Sequence, residues 1–451
     1  MLESEWFEKK VPKIKRIIYI PRNIVRLLSL SKNDKIAVKI KVEGKEVVFP
    51  TRVQFTMTKT GPSYRFSTPK NFKNYFNFER ILMKIIKLKY INSISRNGKV
   101  SLSELANYKN FSITTWAELN QIVIWYENEG KRPYEPVITI PEIEPSETLA
   151  KYSGLYFAEG NKQGYFRIYA TTRELAKLVI KCYDEMIKNS NLKIVIKFNK
   201  AYRDRRTDDE IKETLLNYWN GCVKPYKIND IKITIRRPNI LKYSNKYAEF
   251  GTLMMYDGRI IPRLLTNLLI QKIIEIGKTN KRIIEKLFEG GILGDGGITI
   301  RSGRRKRAFR YIEIGTNKKE VEVWESICKL LKLNYKKQVR KGNDIRIRIN
   351  NFCDIVILLC NGFLKDFPKQ RDKLIKGLKN RVETHIIQNA IISPNYSVPF
   401  VGEFAKRSSS YLVVNKGELI LNKLINFDKQ MITLSPKGLK FINNLKQLKI
   451  I

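Results

Sequence analysis

The chain has 451 residues, with 86 lysines and arginines against 43 acids, a formal net charge of +43 and an isoelectric point near 10. Solubility needs only a few units of charge per domain, so an excess spread along the whole chain points to a polyanionic partner. The basic residues are interleaved with strands and aromatics and build no basic amphipathic helix, which favours nucleic acid over a membrane surface. The 43% of hydrophobic residues suffices for ordinary cores. No apolar run approaches the roughly 18 residues of a membrane span, and MLESEWFEKK is no signal segment, so the expectation is a cytoplasmic, nucleoid-associated protein. Five cysteines without a CxxC pair argue against structural zinc and a disulfide framework. His385 is the only histidine, which nearly excludes histidine-dependent nucleases and Ser-His-Asp hydrolases. Any hydrolysis must run on carboxylates, lysines and added metal.

Residues 1–78 read as β-rich. Within them IIYIPRNIVRLLSLSKNDKIAVKI (17–40) runs strand, proline, short helix, turn, strand, and YRFSTPKNFKNYFNF (64–78) repeats the first part, Pro69 echoing Pro21. This resembles the swapped-hairpin, AbrB-type regulator fold; a plain β-rich accessory domain accounts for the same pattern. Residues 79–128 are predicted helical, and SLSELANYKNFSITTWAELNQIVIWYE (101–127) fits a helix-turn-helix. Residues 129–145 carry Pro133, Pro136, Pro141 and Pro145, which forbid a helix and predict an extended linker. Ser146 then suits the N-cap of the next helix.

From there the pattern runs twice, over 146–280 and 281–385. Period-two segments such as YFRIYATT, LKIVIKFNK, IKITIRRP and DIRIRIN place isoleucines on one strand face and cations on the other. Each repeat is predicted as helix–strand–strand–helix–strand–strand–helix, an α+β unit. Half-buried sheets commonly show polar outer faces, yet here the outer face is cationic in both repeats. Arg167, Lys232, Arg236, Arg301, Arg310, Arg346 and Arg348 are therefore expected to contact DNA, since cations at alternate positions suit phosphates and guanine edges. In the tail, 386–451, ITLSPKGLKFINNL resembles the last wing and helix of a winged-helix domain; a helical cap on the preceding repeat is the alternative.

Two stretches carry the chemistry. YSGLYFAEG (152–160) and FEGGILGDG (288–296) are apolar runs with an internal glycine and a carboxylate followed by glycine, Glu159 and Asp295 standing in equivalent places. Glycine inside a helix costs about 1 kcal/mol relative to alanine unless close approach requires it. Gly154 and Gly290 would let two helices pack backbone to backbone and bring the acids face to face. Two adjacent carboxylates repel unless a cation lies between them, so divalent metal, Mg²⁺ or Mn²⁺, is implied.

The two stretches, with GYFRIYATTRELAKLV, FRYIEIGTNKKEVEVWESICKLL and GFLKDFPKQRDKLIKGL, resemble the paired motif and flanks of LAGLIDADG homing endonucleases of the single-chain archaeal type, over roughly residues 147–380. The resemblance implies a monomer with internal pseudo-twofold symmetry whose two repeats form a saddle over double-stranded DNA. It implies that Glu159 and Asp295 hold catalytic metal. It also assigns basic and amide roles around the metal to Lys162, Asn317 and Lys318; in the first repeat the pair's positions are taken by Ala170 and Thr171. The expected function is metal-dependent, site-specific cleavage of duplex DNA. A non-catalytic transcriptional regulator of the same type is the main rival, and an RNA-splicing maturase a third reading.

Overall fold

The structure is a computed structural model that describes residues 2–10, 17–59, 61–68, 80–91, 98–108, 110–127, 135–200, 204–235, 249–302, 307–340, 344–392, 396–397, 423–428 and 431–451. Its centre is a pair of helices, α1 (Glu147–Glu159) and α5 (Lys281–Leu293), which share the most extensive contact between any two elements. The Ser146 hydroxyl accepts from the Leu149 amide at 3.2 Å and starts α1. Asn280 starts α5 in the same way, accepting from the amides of Arg282 and Ile283. Both helices are buried over most of their length because each packs on the other and on a sheet.

The first repeat continues through β1 (Phe166–Ala170), α2 (Arg173–Met186), β2 (Lys193–Lys200), α3 (Asp208–Val223), β3 (Ile228–Ile235), β4 (Thr252–Asp257) and α4 (Ile261–Gly277). Its sheet runs β1-β4-β2-β3, with β2 and β3 parallel. The second continues from α5 through β5 (Gly296–Ser302), β6 (Arg307–Thr316), α6 (Val321–Leu330), β7 (Tyr335–Val339), β8 (Ile345–Ile349), α7 (Phe352–Cys360) and α8 (Pro368–Lys379). Its sheet runs β5-β6-β8-β7, antiparallel throughout. The molecule is thus α+β. The second repeat has the expected element order, and the first corrects it. There β1, β4 and β2 pair as β6, β8 and β7 do, but no counterpart of β5 precedes β1. The fourth strand, β3, lies instead on the opposite edge, reached through the inserted helix α3. Only a few residues separate Glu159 from Phe166, too few for a hairpin strand and its turn.

The expected helices of 79–128 are a second correction. Arg80–Lys87 is a central strand of an N-terminal sheet, and Phe111–Trp116 and Gln121–Tyr126 form an antiparallel hairpin; among the described residues the only helical turns there are short 3-10 ones. FSITTW and QIVIWY are rich in β-branched and aromatic residues, which suit a pleated surface buried on both faces. Val123 and Ile124, neighbours in sequence, are both fully buried. A third correction concerns 129–145: among its described residues, Val137–Thr139 is an edge strand paired with Gln121–Tyr126 rather than part of an extended linker. Asn189 Oδ1 accepts from the Ile138 amide at 2.7 Å, and Arg259 donates to the carbonyls of Pro136 and Asn189. Arg259 is itself held by buried Asp257, which also accepts from the Tyr183 hydroxyl.

In the N-terminal region Ile17–Tyr19 pairs with Gly61–Ser67, and Lys35–Val42 pairs with Arg80–Lys87. Strands preceding the two echoed prolines thus pair with each other, as do strands following them; the second expected helix lies outside the described residues. In the tail, helix Val382–Ile392 crosses the expected boundary at 385 and contacts the strand Met431–Leu434, which pairs with Ile425–Asp428; helix Pro436–Gln447 packs on α7, where Phe441 meets Phe352 at 6.3 Å. Residues 398–422, which hold the first expected helix of the tail, lie outside the described residues. Among the described residues no helix is long and apolar enough to cross a membrane.

Candidate metal centre and nucleic-acid face

The two central helices meet through their glycines. A Cβ on Gly154 would collide with the carbonyl of Leu287, and one on Gly290 with the carbonyl of Lys151. Leu287 lies three residues before Gly290 and Lys151 three before Gly154, so the seam repeats itself under a pseudo-twofold. The helix ends beyond the glycines converge. At Gly294 a Cβ would stand 2.8 Å from the Ala158 Cβ and 3.0 Å from the Glu159 Cγ, so this glycine is what allows the chain to close on Glu159.

Glu159 and Asp295 are within hydrogen-bonding reach of each other. Glu159 is half-buried, and Asp295 is exposed. Burial, then the Asp295 charge and hydrogen bond, push Glu159 up to about 7, against the pull of Lys162. Desolvation raises Asp295 too, while the hydrogen bond from Glu159 and the charges of Arg346 and Lys162 hold it down. Both carboxyls are thus pushed up together, because two acids this close resist being ionised at once.

Lys162 stands beside the pair. Its ammonium donates to the Phe157 carbonyl, lies 4.8 Å over the Phe157 ring and pairs with Glu320 of the other repeat at 3.5 Å. Burial lowers its pKa, and Glu320 opposes that. Arg263 braces the same loop by donating to the carbonyls of Lys162 and Gly164. Asn317 and Lys318 lie between β6 and α6, next to Glu320. The Asn317 side chain accepts from the Lys319 amide at 2.9 Å and its carbonyl from Glu320 and Val321, so Asn317 shapes the start of α6. Lys318 is exposed.

The cationic positions divide. Ile345, Ile347 and Ile349 are buried and Arg346 and Arg348 face outward on β8, half-buried. Arg348 is held by Glu313 at 3.0 Å and Arg346 by Asp344 at 2.9 Å. Arg346 also lies over Gly315, beside Asp295. Arg167 is half-buried on β1 and Lys232 exposed on β3, but Ile235, expected in the core, is 70% exposed at the end of that edge strand. Arg301 and Arg310 lie on β5 and β6 with side chains outside those described, and Arg236 lies outside the described residues. Sequence reasoning missed Glu320, Arg263 and the part of Arg346 beside Asp295. Only the lysine three residues after the acid hinted that a partner carboxylate must exist.

No family model and no curated protein matches the chain. Among solved structures it is similar to the N-terminal LAGLIDADG domain of DUF199/WhiA, at 12% identity over 48% of this chain and 81% of that one, with a TM-score of 0.24. It is similar to full-length DUF199/WhiA from Thermatoga maritima at 10% identity over 61% and 90%, with a TM-score of 0.29. A double mutant of I-SmaMI is 12% identical over 49% and 84%, with a TM-score of 0.21. Likenesses this slight carry no function; that must come from the two carboxylates and the faces around them.

Proposed function

We propose that the chain binds double-stranded DNA and uses Glu159 and Asp295 to hold a divalent metal, Mg²⁺ or Mn²⁺, for the hydrolysis of phosphodiester bonds. The observation that carries this is the convergence of one carboxylate from each repeat on a single point, within hydrogen-bonding reach of each other. The donor set fits such an ion. Among the described residues no cluster of three or more metal-binding side chains occurs. Mg²⁺, however, commonly takes one or two carboxylates and completes its shell with water and phosphate oxygens. When bound, the metal would activate a water and stabilise the leaving oxygen. The chain's own residues do the rest: the glycine seam sets the separation of the acids, Lys162 and Arg346 temper their charge, and the arginines of β8 orient the duplex. The test is cleavage of DNA libraries with Mg²⁺ by the wild type, Glu159→Gln, Asp295→Asn and the double variant. The single variants should bind DNA and lose cleavage; full cleavage by the double variant would overturn the assignment.

One observation favours a second reading, a DNA-binding regulator without cleavage. The Lys162 ammonium is committed to the end of α1 and to Glu320, which leaves it engaged in structure rather than presented to a phosphate. Tight, metal-independent binding with no cleavage in Mg²⁺ or Mn²⁺ would assign that reading.

A further inference from the structure

The outer faces of the two sheets carry different side chains. On the first, β1 and β4 set Arg167 opposite Tyr256 and Tyr169 opposite Met254, and β4 and β2 set Tyr256 opposite Lys193. Tyr165, just before β1, is 38% exposed and packs on Tyr256 at 6.0 Å. The Arg167 guanidinium lies 5.7 Å from the Tyr165 ring and 5.9 Å from Tyr169, and the Lys197 ammonium 5.2 Å from Tyr169. The face is thus a lattice of rings and cations. On β8 of the second sheet Arg346 and Arg348 are braced by carboxylates instead, with Tyr311 as the ring beneath Arg348 at 4.2 Å.

A carboxylate-braced guanidinium is held in a fixed fork, which suits hydrogen bonding to base edges in a major groove. Rings and guanidinium planes suit a different part of the base, its π face. In a paired, stacked duplex those faces are covered by neighbouring bases, so a ring lattice gains nothing from them. We propose that the open face of the first sheet takes unpaired bases, a locally melted strand of the DNA whose duplex part lies on the second sheet. This rests on the DNA-binding reading above. Lys193, Lys197 and Lys232, all exposed, supply charge complementary to the strand's phosphates. Among the described residues no strand pairs with the β1 edge; only the Asn161 loop meets it, its amide donating to the Arg167 carbonyl at 2.8 Å.

The test is fluorescence anisotropy on the full chain without divalent metal. The probes are a labelled DNA duplex with a central unpaired run, the same duplex fully paired, and single strands of DNA and RNA. The duplex with the unpaired run should bind on the order of tenfold tighter or more, as stacking on even one or two bases would give. Tyr165→Ala/Tyr256→Ala should erase that preference while leaving the paired duplex bound as before. Tyr165→Phe/Tyr256→Phe, which keeps the rings, should retain it, and thermal melting of both variants shows whether each is folded. No preference for the unpaired run, equal weakening on both duplexes by a folded alanine variant, or a preference for RNA would overturn the proposal. Failure to bind any DNA would instead remove the reading on which it rests, a separate result.

Discussion

The two repeats agree where their backbones touch and diverge where they face solvent. Along the α1–α5 seam, Gly154 meets the carbonyl of Leu287 and Gly290 that of Lys151, one contact written twice. On the sheets, the second repeat has an antiparallel edge strand, β5, beside β6, whereas the first has none beside β1 and adds the parallel strand β3 at its far edge. Backbone-to-backbone packing admits no side chain and so no drift. An open face tolerates any residue that does not unfold it, and there the repeats have taken up different chemistries, carboxylate-braced arginines on one and a tyrosine lattice on the other.

The seam offers the largest test of this comparison. Gly154→Val and Gly290→Val should each cost more than about 3 kcal/mol in urea unfolding, because the clash is with a helix backbone that cannot turn aside. The two losses should be similar; one harmless glycine would break the pseudo-twofold. The sheets should differ where the seam agrees, central β8 against edge strand β3. Ile347→Ala, at a fully buried position on β8, should cost about 2–4 kcal/mol, whereas Ile235→Ala on β3, 70% exposed, should change stability by less than about 0.5 kcal/mol. A costly Ile235→Ala would mean that β3 packs as β8 does and that the sheets are more alike than they look.

Arg348→Ala probes the braced face. Melting should barely move, while affinity for a preferred duplex should fall by about 1–3 kcal/mol if the residue reads a guanine. An equal loss on every sequence would make it a phosphate contact and remove base reading as the difference between the two faces.

The smallest effect concerns pH. Glu159 is raised from 4.5 to about 7, so between those values the folded state binds a proton that the unfolded chain has released. Stability therefore falls as pH rises through that window and levels above about 7. In metal-free buffer Glu159→Gln should match the wild type near pH 4 and exceed it near pH 8, by on the order of 1–2 kcal/mol after solvent screening. Added Mg²⁺ should raise the wild-type melting temperature at pH 8 and leave the variant unmoved. A variant less stable than wild type at pH 8 would show that the acid pair stabilises the fold instead of straining it.

Some of this was legible residue by residue. The alternation in DIRIRIN fixes which side chains of β8 are buried, because a strand sends neighbours to opposite faces and only isoleucine belongs in the core. Ser146 announced the start of α1, since its hydroxyl satisfies an amide that a helix's first turn leaves bare. The glycine and the acid of each motif stand at a spacing that forces the two helix ends together once the glycines pack. The strands of 80–126 were not legible: a short run buried on both faces has no period that separates it from a buried helix.

What the amino-acid sequence determined by itself is what depends on neighbours along the chain: strand faces, helix caps, the excess of positive charge and the paired motif. What only the tertiary structure decided is what depends on residues far apart in the chain. Glu320 reaches Lys162 across the two repeats, and Arg346 comes to lie beside Asp295. The first sheet borrows β3 for its far edge, and Val137–Thr139 of the proline-rich segment becomes a strand held by Asn189, with Arg259 donating to the Pro136 carbonyl beside it. Such contacts leave no local signature, because which strand fills an edge, or which carboxylate meets a lysine, depends on the whole packed arrangement of helices and sheets.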